Sequence, residues 1–99
     1  MSTFEHIIVE AKDAVGIITL NRPKMLNALS FGLLRDLGRA LDEVGGSDAR
    51  ALLITGAGSK AFCAGADISE LTARSLVAQK QGAEMGQAVM ARLDRLPMP

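Results

Sequence analysis

Residues 51–67 read ALLITGAGSKAFCAGAD, a short apolar run followed by a loop of small residues. The run at 51–55 is continuous rather than alternating, which is typical of a strand covered on both faces in a parallel sheet. The loop is unusually rich in glycine and alanine for a segment that merely connects two elements. Its main-chain N–H groups can approach a ligand closely because side chains do not stand in the way. The stretch therefore predicts a parallel strand that leads into a phosphate-binding or oxyanion-stabilising loop.

Upstream, two β-branched runs lie at residues 6–10 and 15–20, and the four residues between them suit an antiparallel hairpin. Pro23 stops the second strand, since proline donates no ladder hydrogen bond. Ser30 is placed to cap a helix that ends at the glycine pair 45–46. Strand, helix and strand together predict a right-handed βαβ crossover. Apolar residues at the helical interval of three and four are Leu33, Leu37, Leu41 and Val44.

A second helix is predicted from about residue 73 to residue 96, before Pro97 and Pro99 prevent its continuation. Four glycines interrupt the two helical segments, and each costs about 1 kcal/mol relative to alanine in a helix interior. Packing against another element must therefore compensate. These glycines are Gly32, Gly38, Gly82 and Gly86.

The composition bounds the class of protein. A chain of 99 residues, with 48% hydrophobic and 22% charged side chains, predicts one folded domain at most. Eleven basic and eleven acidic residues give a formal net charge of zero, without long runs of either sign. The overall electrostatic field of such a chain would attract neither a nucleic acid nor an anionic membrane, so neither is an expected partner.

The single cysteine, Cys63, cannot form an internal disulfide, and the single histidine, His6, cannot make a zinc cluster with it at usual spacings. No metal site is therefore expected. The first residues lack the basic and apolar regions of a signal peptide, and no apolar run has the length that crosses a bilayer. These features predict a cytoplasmic protein in a reducing compartment.

The residues of the loop alone allow two kinds of interpretation, a nucleotide-binding loop or a cysteine nucleophile. The pattern Gly56-x-Gly58-x-x-Ala61 after a strand matches a weak dinucleotide fingerprint, but that motif should open directly into a helix. A Walker-type loop fits less well, because Lys60 is followed by alanine and not by serine or threonine. Alternatively, Cys63 could be a nucleophile if a base lay nearby, although a lone cysteine is usually a small buried hydrophobe.

A third interpretation considers the loop together with the segments that precede it. Residues 60–71, KAFCAGADISEL, preceded by 51–56 and by 21–29, NRPKMLNAL, resemble the enoyl-CoA hydratase/isomerase (crotonase) superfamily. The motif at 21–29 and the motif that begins with the strand at 51–56 occur in the right order, with a helix between them. The resemblance covers nearly the whole chain. It implies the α/β class, as the N-terminal portion of a crotonase-like ββα spiral with β-hairpin, βαβ crossover, oxyanion loop and helix. Residues 1–99 would form the N-terminal part of an incomplete domain.

The resemblance also implies a site. The main-chain N–H of Ala66 would form half of an oxyanion hole for a thioester carbonyl, where one preorganised donor lowers a barrier by about 3 kcal/mol. Coenzyme A phosphates would lie near Lys24 and Lys60, with Met25 beside the nucleotide, although both lysines are also ordinary loop lysines. The Asp67 side chain is placed to cap a short helix rather than to catalyse. Adenine and pantetheine would lie against Ala64, Gly65, Ala66, Asp67 and Ile68.

The implied activity is acyl-CoA chemistry of fatty acid metabolism, with a coenzyme A thioester as substrate and no resident cofactor. The parent reaction would be hydration of a trans-2-enoyl-CoA, a lyase reaction; isomerisation, dehalogenation and thioester hydrolysis use the same oxyanion strategy. Family members form trimers or pairs of trimers. Their second oxyanion N–H and their catalytic glutamates lie in a part of the fold that comes later in the chain. The chain alone is therefore predicted to be inactive. The alternative is a non-catalytic module that binds coenzyme A or serves as an assembly surface.

Overall fold

The computed structural model describes residues 3–99, except for the side chains of residues 71–73. A three-stranded sheet forms one layer, a long helix packs on it, and a second long helix packs on the first. This arrangement confirms the predicted α/β class. The elements in chain order are β1 (Ile7–Lys12), β2 (Val15–Leu20), a single 3-10 turn (Pro23–Met25), α1 (Phe31–Gly45), β3 (Ala51–Gly56), α2 (Ile68–Ala73) and α3 (Leu76–Leu93).

The hairpin forms as predicted, and β1 pairs antiparallel with β2. The ladder runs from the pair Ile7–Leu20 to the pair Lys12–Val15, so β1 begins one residue later and ends two residues later than the sequence suggested. Asp13 turns the chain with a φ of 56°, in the left-handed region that aspartate tolerates better than most residues. A two-residue turn thus brings the two strands into register.

The third strand, β3, pairs parallel with β2, and the strand order is β1-β2-β3. The chain crosses from β2 to β3 through α1, which confirms the βαβ unit. The expectation that β3 is covered on both faces is wrong. Leu52 and Ile54 pack against the core beside α1, whereas Leu53, on the other face, is 53% exposed. Because β3 is an edge strand with a helix on one face only, the apolar side chain on its other face is left exposed.

Helix α1 begins as the sequence predicts, because the Ser30 hydroxyl accepts a hydrogen bond from the N–H of Leu33 at 3.0 Å. It ends at Gly45, with Gly46 as its C-cap. Burial of each large side chain on its inner face contributes about 1.5–3 kcal/mol. The most buried core residues of α1 and the sheet are Ile7, Ile18, Leu20, Leu33, Leu37, Ala40, Leu41 and Val44.

The helix predicted from about residue 73 forms as α3, which begins three residues later, at Leu76. Ser75 caps α3 by accepting from the N–H of Ala78 at 3.2 Å, which separates α3 from the short α2. Helix α3 ends at Leu93, three residues earlier than predicted. Helical geometry is disfavoured for the residue before a proline, so the chain must leave the helix before Pro97.

Glycines let α1 and α3 approach closely. A Cβ added at Gly82 would lie 2.4 Å from Cζ of Phe31, and one at Gly86 would lie 3.1 Å from Cδ1 of Leu34. Gly38 of α1 faces Val89 of α3 in the same way, at 3.3 Å. The prediction that packing compensates for these helix glycines is confirmed. Among residues 3–99, no helix combines the length and apolarity needed to cross a membrane.

Candidate functional site

The small-residue loop after β3 pairs with the segment that precedes α1. Leu29 and Ala66 form an isolated parallel bridge. In it the N–H of Leu29 donates to the carbonyl of Gly65 at 2.6 Å, and the N–H of Asp67 donates to the carbonyl of Leu29 at 3.0 Å. Two hydrogen bonds therefore hold the main chain on both sides of Ala66.

This bridge determines where the N–H of Ala66 points. The carbonyl of Gly65 and the N–H of Ala66 belong to one planar peptide unit, and no peptide bond is cis, so the two groups point in opposite directions. The N–H of Ala66 is thus directed away from Leu29, and within the described part of the chain no acceptor takes it. Gly65 has a φ of 104°, which glycine adopts readily. The result is an exposed, oriented donor whose peptide is polarised by the bond from Leu29.

Ala66 also lines an apolar cavity of about 340 Å³ between the Leu29–Ala66 bridge and helices α1 and α3. The volume falls within the usual range for small-molecule sites. An oriented N–H beside an apolar cavity can hold a polar carbonyl while an attached hydrocarbon chain leaves water. The other lining residues are Leu29, Phe31, Leu34, Gln79, Gly82, Ala83, Gly86, Gln87 and Met90.

The carboxylate of Asp67 is engaged in structural contacts. Its Oδ1 accepts the N–H of Ser69 at 3.1 Å and the hydroxyl of Ser69 at 2.6 Å, so the predicted cap of α2 is confirmed. Its Oδ2 accepts from the guanidinium of Arg22 at 3.0 Å. The Ser69 hydroxyl and Arg22 hold the pKa of this carboxyl below its usual range, although burial acts in the opposite direction. Arg22 also donates to the carbonyl of Ala28 at 2.7 Å, which ties the loop to residues 22–28.

Asn27 is a structural residue of the site to which the sequence assigned no role. Its side chain is only 1% exposed, and its amide donates to the carbonyls of Ala57 at 3.0 Å and Ala61 at 2.9 Å. Its Oδ1 accepts the N–H of Arg22 at 2.9 Å. Asn27 has a φ of 57°, a conformation in which asparagine is enriched. That preference, after Pro23, was the only sequence signal for a tight turn here.

Glu70 of α2 makes a tertiary contact with the start of α1. Its Oε1 accepts the N–H of Phe31, the first residue of α1, at 2.7 Å. A carboxylate near a helix N-terminus satisfies a free N–H and suits the helix dipole. The guanidinium of Arg74 stacks over the Phe31 ring at 4.2 Å. Together these contacts attach α2 to the start of α1 and support one end of the cavity.

The structure brings Lys24 and Lys60 together. Both line a groove of about 370 Å³ between the 3-10 turn and residues 57–61. Both side chains belong to exposed residues, so the groove has two available cations. Met25, on the same turn, is 48% exposed and is not among the residues that line the groove. Ala64, Gly65 and Ile68 lie exposed around Ala66.

The alternative readings of the loop fit the structure poorly. The chain becomes helical only at Ile68, so Gly56 and Gly58 do not open into a helix as a dinucleotide fingerprint requires. Cys63 is half-buried and packs against the hydrophobic core, in keeping with a small hydrophobe. The His6 ring lies instead against the first turn of α1, where a Cβ at Gly32 would approach it to 3.1 Å. Within residues 3–99, no cluster of three or more His, Cys, Asp or Glu residues could hold a metal ion.

Comparisons with known proteins agree with this description. Residues 10–99 match the family model described as enoyl-CoA hydratase/isomerase. The short-chain-enoyl-CoA hydratase of Clostridium acetobutylicum is 37% identical over 95 residues, which are 95% of this chain and 36% of that protein. The mitochondrial 3-hydroxyisobutyryl-CoA hydrolase of Rattus norvegicus is 42% identical over 83 residues, 83% of this chain and 20% of that protein.

Solved structures show the same similarity. The crystal structure of an enoyl-CoA hydratase from Bacillus anthracis superposes with a TM-score of 0.89 and 34% identity, over 96% of this chain and 38% of that one. An enoyl-CoA hydratase from Thermoplasma volcanium has a TM-score of 0.88 and 28% identity, over 95% and 38%. The predicted crotonase-type fold is thereby confirmed. The chain spans less than two fifths of the length of these relatives.

Proposed function

Because this chain belongs to the enoyl-CoA hydratase/isomerase family, we propose that it binds an acyl-CoA thioester and stabilises the enolate oxygen through the N–H of Ala66. The observation that carries the proposal is the direction of that N–H, away from Leu29 and beside an apolar cavity. Relatives named as short-chain-enoyl-CoA and crotonyl-CoA hydratases support hydration of a trans-2-enoyl-CoA as the parent reaction.

The chemistry follows from the donor and the cavity. The thioester carbonyl oxygen would accept from Ala66, and the acyl chain would enter the apolar space against α3. Addition of water at the β-carbon, or loss of a proton at the α-carbon, moves negative charge onto that oxygen. A donor already in position costs no reorganisation as the charge develops, and one such donor lowers the barrier by about 3 kcal/mol.

Coenzyme A would extend from the thioester toward the groove that holds Lys24 and Lys60. Two lysines are suitable point charges for its phosphates. Adenine and pantetheine would lie against Ala64, Gly65 and Ile68, with Met25 beside the nucleotide, as the family resemblance implies. Asp67 would contribute its main chain, because its carboxylate is already bonded to Arg22 and Ser69.

Turnover is proposed to need more than these residues. By the family resemblance, the second oxyanion N–H and the two glutamates of the hydratase come from a later part of the fold. We therefore propose that this chain binds the thioester without turning it over. The cytoplasmic location and assembly into trimers or hexamers stay predictions.

Calorimetric titration tests the proposal, with acetoacetyl-CoA as ligand and free coenzyme A, which has no thioester carbonyl, as the control. We expect the thioester to bind about tenfold more tightly, equivalent to about 1.4 kcal/mol. Ala66→Pro removes the N–H and should abolish the difference, while the matched variant Ala66→Gly keeps the N–H and should retain it. Equal affinity for both ligands would favour the alternative, a module that binds coenzyme A without a hydrogen bond to the thioester carbonyl.

A further inference from the structure

The apolar cavity beside Ala66 is closed on its inner side by contacts between α1 and α3. The Phe31 ring lies so close to Gly82 that a Cβ there would come within 2.4 Å of Cζ, and a Cβ at Gly86 would lie 3.1 Å from Cδ1 of Leu34. Phe31 and Leu34 are only 8% and 7% exposed. Helices packed this tightly leave no passage for an acyl chain between them. An acyl group that enters the cavity therefore cannot extend inward.

The open side of the cavity is formed by an exposed stretch of α3. The lining residues of α3 follow one another at helical intervals of three and four, so they share one face of the helix. Of these, Ala83, Gln87 and Met90 are exposed. None of the described residues that line the groove of Lys24 and Lys60 also lines this cavity. The far end of an acyl chain must therefore extend toward the exposed stretch of α3, and not toward the lysine groove.

Gln87 supplies an available polar group at this open side. Among the described residues that line the cavity, only Gln79 and Gln87 have polar side chains. The amide of Gln79 donates to the carbonyl of Arg74 at 3.2 Å, beside the start of α3. Within the described part of the chain, no group accepts a hydrogen bond from the Gln87 amide. The carboxamide of Gln87 can therefore donate to an oxygen of a ligand.

We propose that Gln87 is a specificity-determining residue and that it selects acyl groups with a carbonyl or hydroxyl oxygen beyond the β-carbon. This inference rests on the proposed function, because the thioester must first be held at Ala66 in the same cavity. A hydrocarbon chain would displace water from the Gln87 amide without giving it a partner, whereas a ligand oxygen replaces that water. Because Gln87 is exposed, water still competes, and we expect a preference of about fivefold.

Calorimetric titration with two thioesters of the same shape tests the inference. In 4-oxopentanoyl-CoA a ketone oxygen takes the place of one methyl group of 4-methylpentanoyl-CoA, so the ligands differ in one hydrogen-bond acceptor. We expect the ketone to bind about fivefold more tightly, which is equivalent to about 1 kcal/mol. Gln87→Glu keeps the size of the side chain but replaces the amide donor with a carboxylate, and Gln87→Leu removes the polar group. Both variants should lose the preference for the ketone.

Gln81→Glu is the matched control, since Gln81 is exposed on α3 but does not line the cavity, and it should keep the ratio of affinities. Each ratio compares two ligands on one variant, so an effect of the substitution on stability or on overall charge cancels. An unchanged ratio in both Gln87 variants would overturn the inference, because another group would then bind the ketone oxygen.

Free coenzyme A separates a failure of this inference from a failure of the proposed function. If 4-methylpentanoyl-CoA bound as tightly as the ketone, and both bound more tightly than free coenzyme A, the role of Gln87 would be wrong and thioester binding would stand. If neither thioester bound more tightly than free coenzyme A, the proposed function would fail, and the role of Gln87 with it.

Discussion

The guanidinium of Arg22 lies 3.0 Å from the carboxylate of Asp67, a residue 45 positions further along the chain. Both side chains are largely buried, with exposures of 16% and 6%. Arg22 begins the segment that carries Lys24 and Leu29, and Asp67 directly follows Ala66. The ion pair therefore joins the two segments whose relative position determines the direction of the Ala66 N–H.

Acid should weaken this connection. The pKa of Asp67 is lowered by the Ser69 hydroxyl and by Arg22, so the carboxylate adds stability that is fully present above the unfolded-state pKa near 3.9. That stability is lost as the pH falls from there through the lower folded-state pKa. Asp67→Asn should flatten the fall of the unfolding free energy below about pH 4, measured by urea titration across pH. Asp48→Asn, at an exposed position after α1, is the control and should keep the steeper fall.

Removal of the Asn27 amide should destabilise the chain and loosen the start of the loop. Asn27→Ala leaves the carbonyls of Ala57 and Ala61 without their donor, and a buried group that loses its partner costs about 1–3 kcal/mol. We expect a loss of at least about 2 kcal/mol in the free energy of unfolding. Asn21→Ala provides the comparison, because Asn21 is exposed and donates to the carbonyl of His6 through its main-chain N–H. Equal losses in the two variants would contradict the role assigned to Asn27.

Gly82→Ala should destabilise, although alanine is the better helix former by about 1 kcal/mol. The new Cβ would lie 2.4 Å from the Phe31 ring, and overpacking of this kind costs about 1–3 kcal/mol. Thermal unfolding measures the net effect. Gly45→Ala, whose Cβ would make only ordinary contact with Leu96 at 3.7 Å, should be neutral or stabilising. If Phe31→Leu failed to rescue Gly82→Ala, the clash with the ring would not be the cause.

Lys24→Met and Lys60→Met should each weaken binding of free coenzyme A by roughly two- to fivefold, the range of an exposed ion pair. The loss should shrink at high salt, because both lysines are exposed and screening is strong there. Lys12→Met removes an exposed lysine on β1, outside the groove, and should leave the affinity unchanged. Titration at low and high ionic strength separates the phosphate contact from a general effect of charge.

Much of the fold could be predicted because its signals are local. Ser30 and Asp67 cap helices through hydrogen bonds that span two or three residues, so the sequence beside them was enough to identify both caps. The hairpin and the βαβ unit follow from the order and type of short apolar runs. The misplaced features were those that depend on neighbours, such as the exposed face of Leu53 at the sheet edge.

The sequence by itself determined the class of the fold, its caps and the family to which the chain belongs, because these depend on local propensity and on motifs read in order. The tertiary structure decided which way the Ala66 N–H points, how Asn27 holds the loop, and that Lys24 and Lys60 share a groove. These facts depend on contacts between residues some 30 to 45 positions apart. No local pattern specifies such a contact, because its geometry exists only after the strands and helices have packed.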